Sequence, residues 1–315
     1  MTIGDATREY VKYKQALGQR FETEEVILRA FTKRIGRRTV VSKITAKQVL
    51  GYLGSQGKVT RFWHRKHDAL SGFWVFCIQR EWTDRSPVPT VRPAYPPRFV
   101  PYIYSQEELR ALLEGTTTYQ QKWVKLEPVT LRALLLLLYG AGLRVSEPIA
   151  LCCSDVDFIE NTLLIRETKF YKSRRVALSS QLAMVMRDYD ASRVRAGHSR
   201  HDDAPFFTYK NGETVARFVV EDAFLRLRQH VSVSRLNARY QPRLHDLRHT
   251  FAVHRVLAWY RNGQDVQRLL PGLATHLGHI NLASTQWYLT MTPELLAEAS
   301  TRFGNYAAEV INARA

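Results

Sequence analysis

The chain has 315 residues, of which 45% are hydrophobic and 24% are charged, a composition that excludes disordered and fibrous proteins. A sequence of this length predicts about two domains with a sizeable buried core. The 46 Lys and Arg residues outnumber the 29 Asp and Glu residues, so the net charge of +17 predicts a polyanionic partner: nucleic acid, an anionic membrane or an acidic protein. The alternative is a basic protein with no role in nucleic-acid binding.

The positive charge is concentrated in the first part of the chain. Residues 1–100 contain 19 Lys and Arg against 8 Asp and Glu, whereas residues 101–315 contain 27 against 21. The first part is therefore predicted to hold the polyanion, and the second part to have a more balanced surface.

Targeting and cysteine patterns indicate a cytoplasmic protein. Residues 1–20 are polar and lack the apolar core of a signal peptide. The most apolar run, Ala133–Leu143, is too short to span a bilayer and predicts a buried helix. Cys77, Cys152 and Cys153 fit neither a disulfide framework nor a C-x-x-C zinc site, so structural zinc is not expected.

Short helices joined by basic loops are predicted for the first domain. Apolar residues at helical spacing predict a helix over Glu22–Ile35, which ends in a basic run. Thr45-Ala-Lys-Gln48 fits a capping box at the start of a second helix. The aromatic-rich stretch Arg61–Gln79 predicts a third helix, most of whose aromatic side chains form a core, with base-stacking platforms as the alternative. We therefore predict an all-helical domain over residues 1–86.

A proline-rich linker is predicted next, over residues 87–104. Prolines at this density prevent regular helix or sheet and favour a semi-rigid, extended segment. The sequence contains Pro87, Pro89, Pro93, Pro96, Pro97 and Pro101.

A second domain, mainly α with a small antiparallel β-sheet, is predicted over residues 105–315. Ser105-Gln-Glu-Glu108 forms a second capping box, and an apolar helix runs from Thr130 to the glycines before Arg144. Asn161–Glu167 and Arg174–Leu178 predict two strands joined by a turn. Helices dominate again after residue 180.

Two helix starts are predicted in the last third of the chain. Pro242 precedes a helix that starts near His245. Thr292-Pro293 supplies an N-cap and a proline at the first helical position, which predicts a helical tail from about residue 293.

His245-Asp-Leu-Arg248-His249 is a candidate phosphate site. On a helix, positions three apart share a face, so His245 and Arg248 can reach one target. A guanidinium donates two parallel hydrogen bonds to a phosphate, and an imidazole can move a proton near neutral pH. The alternative is a surface helix on which Arg248 pairs with Asp246 or another acid.

Arg144, within Gly142-Leu-Arg-Val-Ser-Glu147, is a second candidate phosphate clamp. It follows an apolar helix and two glycines, which brings its charge close to buried structure. A buried charge is costly unless paired, so Glu147 or a ligand is expected to balance it. The alternative is an arginine that binds the last carbonyls of the helix.

A specific order of motifs appears when the whole second domain is considered. Arg144 in GLRxSE is followed by a lysine in a hairpin turn, by HxxRH, and by Leu277-Gly-His279. Tyr288 lies nine residues after that histidine. Over residues 105–300 this order resembles the tyrosine recombinase (phage integrase) family, and the preceding helical domain and linker fit the family layout more loosely.

The resemblance implies a role for each motif residue. Arg144, Arg248 and His279 would stabilise the scissile phosphate, and His245 would assist deprotonation of the nucleophile Tyr288. The hairpin lysine, Lys169, would protonate the leaving 5′-oxygen, although Lys172 competes for this position. His276 matches no catalytic position of the family and is expected to pack or to face solvent.

The resemblance also implies the layout and partners of the protein. Residues 1–86 would be a SAM-like core-binding domain that forms a clamp on duplex DNA with the catalytic domain. A dimer on one site and a tetramer on paired sites would exchange strands through a Holliday junction, with accessory recombinases or DNA-bending proteins as candidate partners. No cofactor or metal is implied, and the protein would be cytoplasmic and associated with the nucleoid. The basic residues expected to contact DNA are Lys33, Arg34, Arg37, Arg38, Lys43, Arg61, Arg65 and Lys66.

The chain departs from the family pattern in places. Pro148 stands where a leucine is common, and the stretch between His249 and His279 is longer than in compact members. The segment from Trp287 onwards resembles integrases of transposons and other mobile elements. The tail could pack on its own domain or dock on a neighbour.

Other functions remain open at this point. They are a type IB topoisomerase-like enzyme, a catalytically silent DNA-binding protein of the same fold, and a basic protein that binds RNA or membranes.

Overall fold

The computed structural model of the chain describes residues 1–54, 59–97, 99–118, 126–166, 173–234, 241–279 and 283–286, with single residues up to 301. The chain divides into two compact units, Met1–Phe99 and Val100–Ala315. The division falls inside the proline-rich segment that the sequence predicts as a linker.

The described part of the first unit contains α-helices and one short 3-10 turn, Val41–Lys43. The helices are α1 (Ile3–Ala16), α2 (Glu22–Ile35), α3 (Ala46–Gly54) and α4 (Arg61–Gln79). The predicted bounds of α2 and α4 are confirmed, and so is the capping box of α3, where Thr45 N donates to Gln48 Oε1 at 2.8 Å. Most aromatic side chains of α4 form a core, as expected, with Phe73 and Trp74 completely buried, whereas Phe62 is exposed.

The second unit is mainly helical with one small sheet. Its helices are α5 (Gln106–Thr118), α6 (Pro128–Gly140), α7 (Ser146–Ile149), α8 (Ser180–Arg195), α9 (Arg217–His230), α10 (Asp246–Arg261), α11 (Val266–Leu277) and α12 (Ala283–Gln286). The strands are β1 (Val156–Asp157), β2 (Thr162–Ile165) and β3 (Arg174–Ala177), paired antiparallel in the order β1-β2-β3. The predicted fold class of this unit is confirmed.

Two hydrophobic clusters support the second unit. The larger one surrounds α6, whose apolar side chains are buried on several faces, as its nearly all-apolar sequence predicts. The smaller one joins α10 to α11 through residues such as Phe251 and Leu273. None of the described helices is long and apolar enough to cross a membrane.

A sharp backbone turn follows α6 and sets the position of Arg144. Gly142 has φ +62°, in the left-handed region that favours glycine. A Cβ atom at this position would lie 2.3 Å from Cδ1 of Phe251 on α10, so the backbone approaches that helix as only glycine allows. The chain then enters α7 with the Arg144 side chain directed towards the end of α11.

Candidate active site

Arg144 is held between α7 and the end of α11. Its Nη1 donates to Oε1 of Glu147 at 2.8 Å, and its Nη2 donates to the carbonyl oxygen of Gly278 at 2.8 Å. The backbone N–H of Arg144 also donates to Glu147, at 2.8 Å. The expected pairing of Arg144 with Glu147 is therefore confirmed, and the side chain is 31% exposed.

Arg248 lies deeper than Arg144, with only 2% of its side chain exposed. Its Nη1 donates to the carbonyl oxygen of Gly142 at 2.8 Å, and its Nη2 donates to that of Leu277 at 2.6 Å. Asp246 pairs with Arg243 instead, at 2.7 Å. The alternative in which Arg248 pairs with Asp246 on a surface helix is therefore wrong.

A third arginine, which the sequence analysis missed, completes the group. Arg174 begins β3, and its guanidinium makes two hydrogen bonds to the carboxylate of Glu147, at 3.0 and 2.9 Å. Its Nε donates to the carbonyl oxygen of His276 at 2.9 Å. An arginine at the start of a strand after a hairpin turn was the available signal, but its partner lies 27 residues away in the sequence.

The three arginines thus bind consecutive carbonyl oxygens at the end of α11, those of His276, Leu277 and Gly278. The last carbonyls of a helix lack intrahelical partners and carry the negative end of the helix dipole, so cations are favourable there. His279 follows directly. The geometry places three guanidinium groups beside the histidine that the sequence predicts for phosphate binding.

Glu147 stands among the three arginines, with the nearest Arg248 nitrogen 3.9 Å from its carboxylate. Burial raises the pKa of this carboxyl group, but the hydrogen bond and charge of Arg174 and the other donors outweigh burial, so the pKa lies below its usual value. The carboxylate is therefore ionised at neutral pH. Three cations around one anion leave the cluster with a net positive charge.

Two histidines lie at the start of α10. His245 occupies the N-cap position of the helix, and its ring makes an edge-to-face contact with that of His249, with centroids 5.0 Å apart. Burial, followed by the charge of Arg248, lowers the pKa of His245 to about 4. Burial, followed by the charge of His245, lowers the pKa of His249 to about 3. Both rings are neutral at physiological pH, and a neutral ring can accept a proton.

His279 is oriented by a buried hydroxyl group. Its Nδ1 lies 2.8 Å from Oγ1 of Thr285, a side chain that is completely buried in α12. Burial, followed by the charges of Arg248 and Arg144, lowers the pKa of His279 to about 4. A hydroxyl that donates to Nδ1 leaves the ring proton on Nε2, which makes that nitrogen a donor.

His276 packs as the sequence analysis expects. Its Nε2 donates to the carbonyl oxygen of Ala141 at 2.9 Å, and its ring stacks on Phe251. It thereby ties α11 to the turn before Arg144.

Several predicted positions lie outside the described residues. They are Tyr288, Lys169, the competing Lys172, and the helix start at Thr292-Pro293. The catalytic roles of Tyr288 and Lys169 therefore remain predictions. In the described part of the chain, no group of three or more His, Cys, Asp and Glu side chains could hold a metal ion.

Most basic residues predicted to contact DNA are exposed on the first unit. Arg37 and Arg38 line a cleft of about 560 Å³ that also contains Lys12. Arg65 forms an ion pair with Glu24 at 2.9 Å. The other exposed positions are Lys33, Arg34, Lys43 and Arg61.

Lys66 is the exception, and its prediction as a DNA contact is wrong. Its side chain is buried, and Nζ donates to the carbonyl oxygens of Tyr52 at 3.1 Å and Leu53 at 3.4 Å. These carbonyls end α3, so the ammonium group caps that helix instead of facing solvent. Burial, followed by the charge of Arg34, lowers the pKa of Lys66.

Comparison with known proteins identifies the family. The model of the phage integrase family matches residues 104–294, which include every predicted catalytic position. The chain belongs to this family. It is therefore a DNA breaking-rejoining enzyme of the tyrosine recombinase class. A Sinorhizobium fredii protein named "Putative integrase/recombinase y4rB" is 33% identical over 307 residues, covering 96% of this chain and 96% of that protein.

Solved structures of integrases share the fold. The Tn1549 transposon integrase in complex with a circular intermediate DNA aligns with a TM-score of 0.70 at 15% identity, covering 96% of this chain and 99% of that chain. A lambda integrase tetramer bound to a Holliday junction aligns with a TM-score of 0.63 at 16% identity, covering 89% and 78%. At these identities the likeness shows the fold of this integrase-family chain.

Proposed function

We propose that this integrase cleaves and rejoins duplex DNA at a specific site through a 3′-phosphotyrosyl intermediate formed by Tyr288. The product of paired exchanges would be a Holliday junction, and the biological role would be integration, excision or transposition of a mobile element. The observation that carries the proposal is the convergence of Arg144 and Arg248, from distant parts of the sequence, on the two residues before His279.

The cationic cluster suits a scissile phosphate because negative charge builds on the non-bridging oxygens in the transition state. Preorganised donors stabilise that charge most, and each is worth about 10²–10³ in rate. Arg144 and Arg248 would bind these oxygens, with Nε2–H of His279 as a further donor. The cluster has a net positive charge because three guanidinium groups surround the single carboxylate of Glu147.

The nucleophile needs a base because a phenol has a pKa of about 10. His245 is proposed as that base because of its place in the HxxR motif beside Arg248. Its pKa of about 4 in the free protein makes it neutral but weakly basic, and the negative charge of a bound phosphate would raise that pKa towards the working range. Lys169 would donate a proton to the leaving 5′-oxygen. Covalent catalysis divides a difficult step into two transesterifications, and the phosphotyrosyl bond keeps the energy that resealing requires.

The proposed assembly is a dimer on one DNA site and a tetramer on two paired sites. The lambda integrase tetramer on a Holliday junction supports this, since the two chains share a fold. The exposed basic residues of the first unit are proposed to hold the DNA backbone, and binding should therefore weaken steeply with salt.

The test is the capture of a covalent adduct. Wild-type protein and Tyr288→Phe are incubated with a randomised pool of nicked duplexes, which lose the short strand after cleavage and cannot reseal. Denaturation-resistant protein–DNA complexes are recovered and sequenced. The wild type should trap a consistent site through a 3′ linkage, and Tyr288→Phe should trap none.

Other outcomes would contradict parts of the proposal. An equal adduct from Tyr288→Phe would overturn the assignment of the nucleophile, and no adduct from the wild type would overturn the function. Two recovered sites can then be placed on supercoiled plasmids and mixed: recombinant junctions support recombination, whereas relaxation of supercoils without junctions would indicate a topoisomerase.

A further inference from the structure

We propose that Arg174 is a positioning residue for cleavage, which fixes Glu147 and the end of α11 so that Arg144, Arg248 and His279 can bind the phosphate together. The inference rests on the proposed function and adds a residue that the motif order does not contain. Arg174 would act through other residues without touching the DNA.

The first support is that Arg174 contacts two separate parts of the site, Glu147 on α7 and the end of α11. Its terminal nitrogens bind both oxygens of Glu147, and its Nε binds the carbonyl oxygen of His276. The same carboxylate binds Arg144, and the same helix end carries the acceptors of Arg144 and Arg248. Moving Arg174 would therefore disturb both supports of the proposed phosphate clamp.

The second support is burial. The Arg174 side chain is 11% exposed and that of Glu147 is 6% exposed. Buried ion pairs tolerate little loss of geometry because an uncompensated charge is costly. Gly278 has φ +66°, and a Cβ there would lie 3.0 Å from Nη1 of Arg174, so the guanidinium packs directly against the backbone before His279.

The third support is the place of Arg174 in the sheet. It is the first residue of β3 and pairs with Ile165 on β2, so the ladder fixes its Cα position. The sequence predicts a turn before β3 that carries Lys169 and Lys172, which lie outside the described residues. Arg174 therefore links the strand that follows the lysine turn to the arginine cluster.

The contacts require an arginine. A lysine has one nitrogen and cannot make the parallel pair of bonds to a carboxylate together with a separate bond to a carbonyl oxygen. Arg174→Lys would keep the charge and lose the geometry. Arg175 offers a matched control because it is the next residue on the same strand and is exposed.

The experiment uses a duplex recovered by adduct capture, with the full-length wild type, Arg174→Lys and Arg175→Lys. Single-turnover adduct formation is followed at saturating protein. The amplitude then reports the fraction of the protein–DNA complexes that can react, and the rate constant reports how fast the active site cleaves bound DNA. Binding is measured separately by fluorescence anisotropy. A second duplex carries a methyl group in place of one non-bridging oxygen of the scissile phosphate, which removes its charge.

Arg174→Lys should lower the rate constant about 10²-fold, as expected when a supporting contact misplaces the donors, with little change in the binding constant. Arg175→Lys should match the wild type in rate constant. On the uncharged duplex the deficit of Arg174→Lys should shrink because the clamp has less charge to stabilise. A general loss of folding would lower the amplitude or act equally on both duplexes.

The inference is overturned if Arg174→Lys and Arg175→Lys have equal rate constants, or if the deficit of Arg174→Lys is the same on both duplexes. A wild-type protein that forms no adduct is a separate result. It overturns the proposed function, and the positioning role with it.

Discussion

At the residue scale, Arg144 and Arg248 make similar contacts in different surroundings. Each donates to a carbonyl oxygen at the end of α11, but Arg248 is 2% exposed and Arg144 is 31% exposed. Loss of a buried charged donor leaves acceptors unsatisfied, whereas water can replace a donor at the surface. The two arginines should therefore respond differently to the same substitution.

Arg144→Gln should lower the rate of adduct formation by about 10²–10³-fold with a small loss of stability. Arg248→Gln should lower the rate similarly and also reduce the free energy of unfolding by about 2–4 kcal/mol, because the carbonyl oxygens of Gly142 and Leu277 lose a charged donor. Denaturant unfolding and single-turnover kinetics measure the two effects. Equal stability of the two variants would contradict the distinction.

Thr285 is expected to set the tautomer of His279. Thr285→Val keeps the shape but removes the hydroxyl that contacts Nδ1, so the ring proton is no longer directed to Nε2. The rate of adduct formation should fall about 10-fold or more. Thr285→Ser keeps the hydroxyl and should remain close to the wild type, so a Thr285→Ser variant as slow as Thr285→Val would argue against this role.

The sequence singles out Arg144 and Arg248 as candidate phosphate ligands because each sits in a local motif, and these roles remain predictions. Glu147 follows Arg144 by three residues, and their pairing could be anticipated from the cost of an unpaired buried charge. Arg174 could not be found in this way. The proposed role of Arg174 depends on its contacts with Glu147 and with His276, which is 102 residues away, and only the fold brings these residues together.

At the element scale, the turn between α6 and α7 sets how closely this part of the backbone can approach α10. Gly142 combines a positive φ with close contact to Phe251, and its carbonyl oxygen accepts a hydrogen bond from Arg248. A side chain here would strain the backbone and push α10 away. A substitution in this turn should therefore change both the stability of the unit and the position of Arg248.

Gly142→Ala should destabilise the protein by about 2–5 kcal/mol, through the strain of a positive φ and an overpacked contact. Gly197→Ala separates the two terms, because Gly197 has φ +82° and nothing within 4 Å of an added Cβ. It should cost about 1–2 kcal/mol. Denaturant unfolding of both variants tests this, and equal losses would show that contact with Phe251 contributes nothing.

The bounds of α2 and α4 were predicted from the spacing of apolar and aromatic residues, whereas the starts of α3 and α5 were predicted from local capping chemistry. The boxes at Thr45 and Ser105 depend on residues three apart and therefore appear in the sequence. The first helix, α1, was not predicted, although its buried residues recur at helical spacing and Thr2 caps its start; these are Ile3, Ala6, Thr7, Tyr10 and Val11. Strand β1 has two residues, and only its partner β2 makes it a strand.

At the scale of the whole molecule, buried histidines should make the protein sensitive to acid. His245, His249 and His279 have pKa values of about 4, 3 and 4, below the usual 6.5, because burial and nearby charges disfavour protonation. The unfolded chain binds protons at about pH 6.5, and the folded chain does not. Stability is therefore full above that pH and is lost as the pH falls towards 4.

Between about pH 6.5 and 4.5, the free energy of unfolding should decrease by up to ~1.4 kcal/mol per pH unit for each such histidine. The stabilisation from the lowered pKa of Glu147 is fully present above its ordinary pKa of 4.5 and is lost only as the pH falls below that value, so Glu147 does not add to the slope in this range. Denaturant unfolding across this range measures the slope. His249→Gln should make the slope shallower by about one histidine, and an unchanged slope in that variant would contradict the assignment.

The salt dependence of DNA binding should distinguish the exposed basic residues of the first unit from the buried Lys66. Arg37→Ala should lower the slope of log Kd against log salt by about 0.9 if that side chain neutralises one phosphate. Lys66→Gln should leave the slope unchanged and reduce stability, because its ammonium group binds the end of α3. Anisotropy titrations at several salt concentrations measure both variants, and a reduced slope in Lys66→Gln would contradict its structural role.

The three arginines at the end of α11 have a consequence for how this integrase meets its substrate. Their guanidinium groups are held by carbonyl oxygens of the protein itself, so the entropy of ordering them is lost when the chain folds and not when DNA arrives. Binding energy from the duplex would then be available for later steps, such as the proposed approach of Tyr288 to the phosphate. Control over cutting would lie with the nucleophile and not with the anion site.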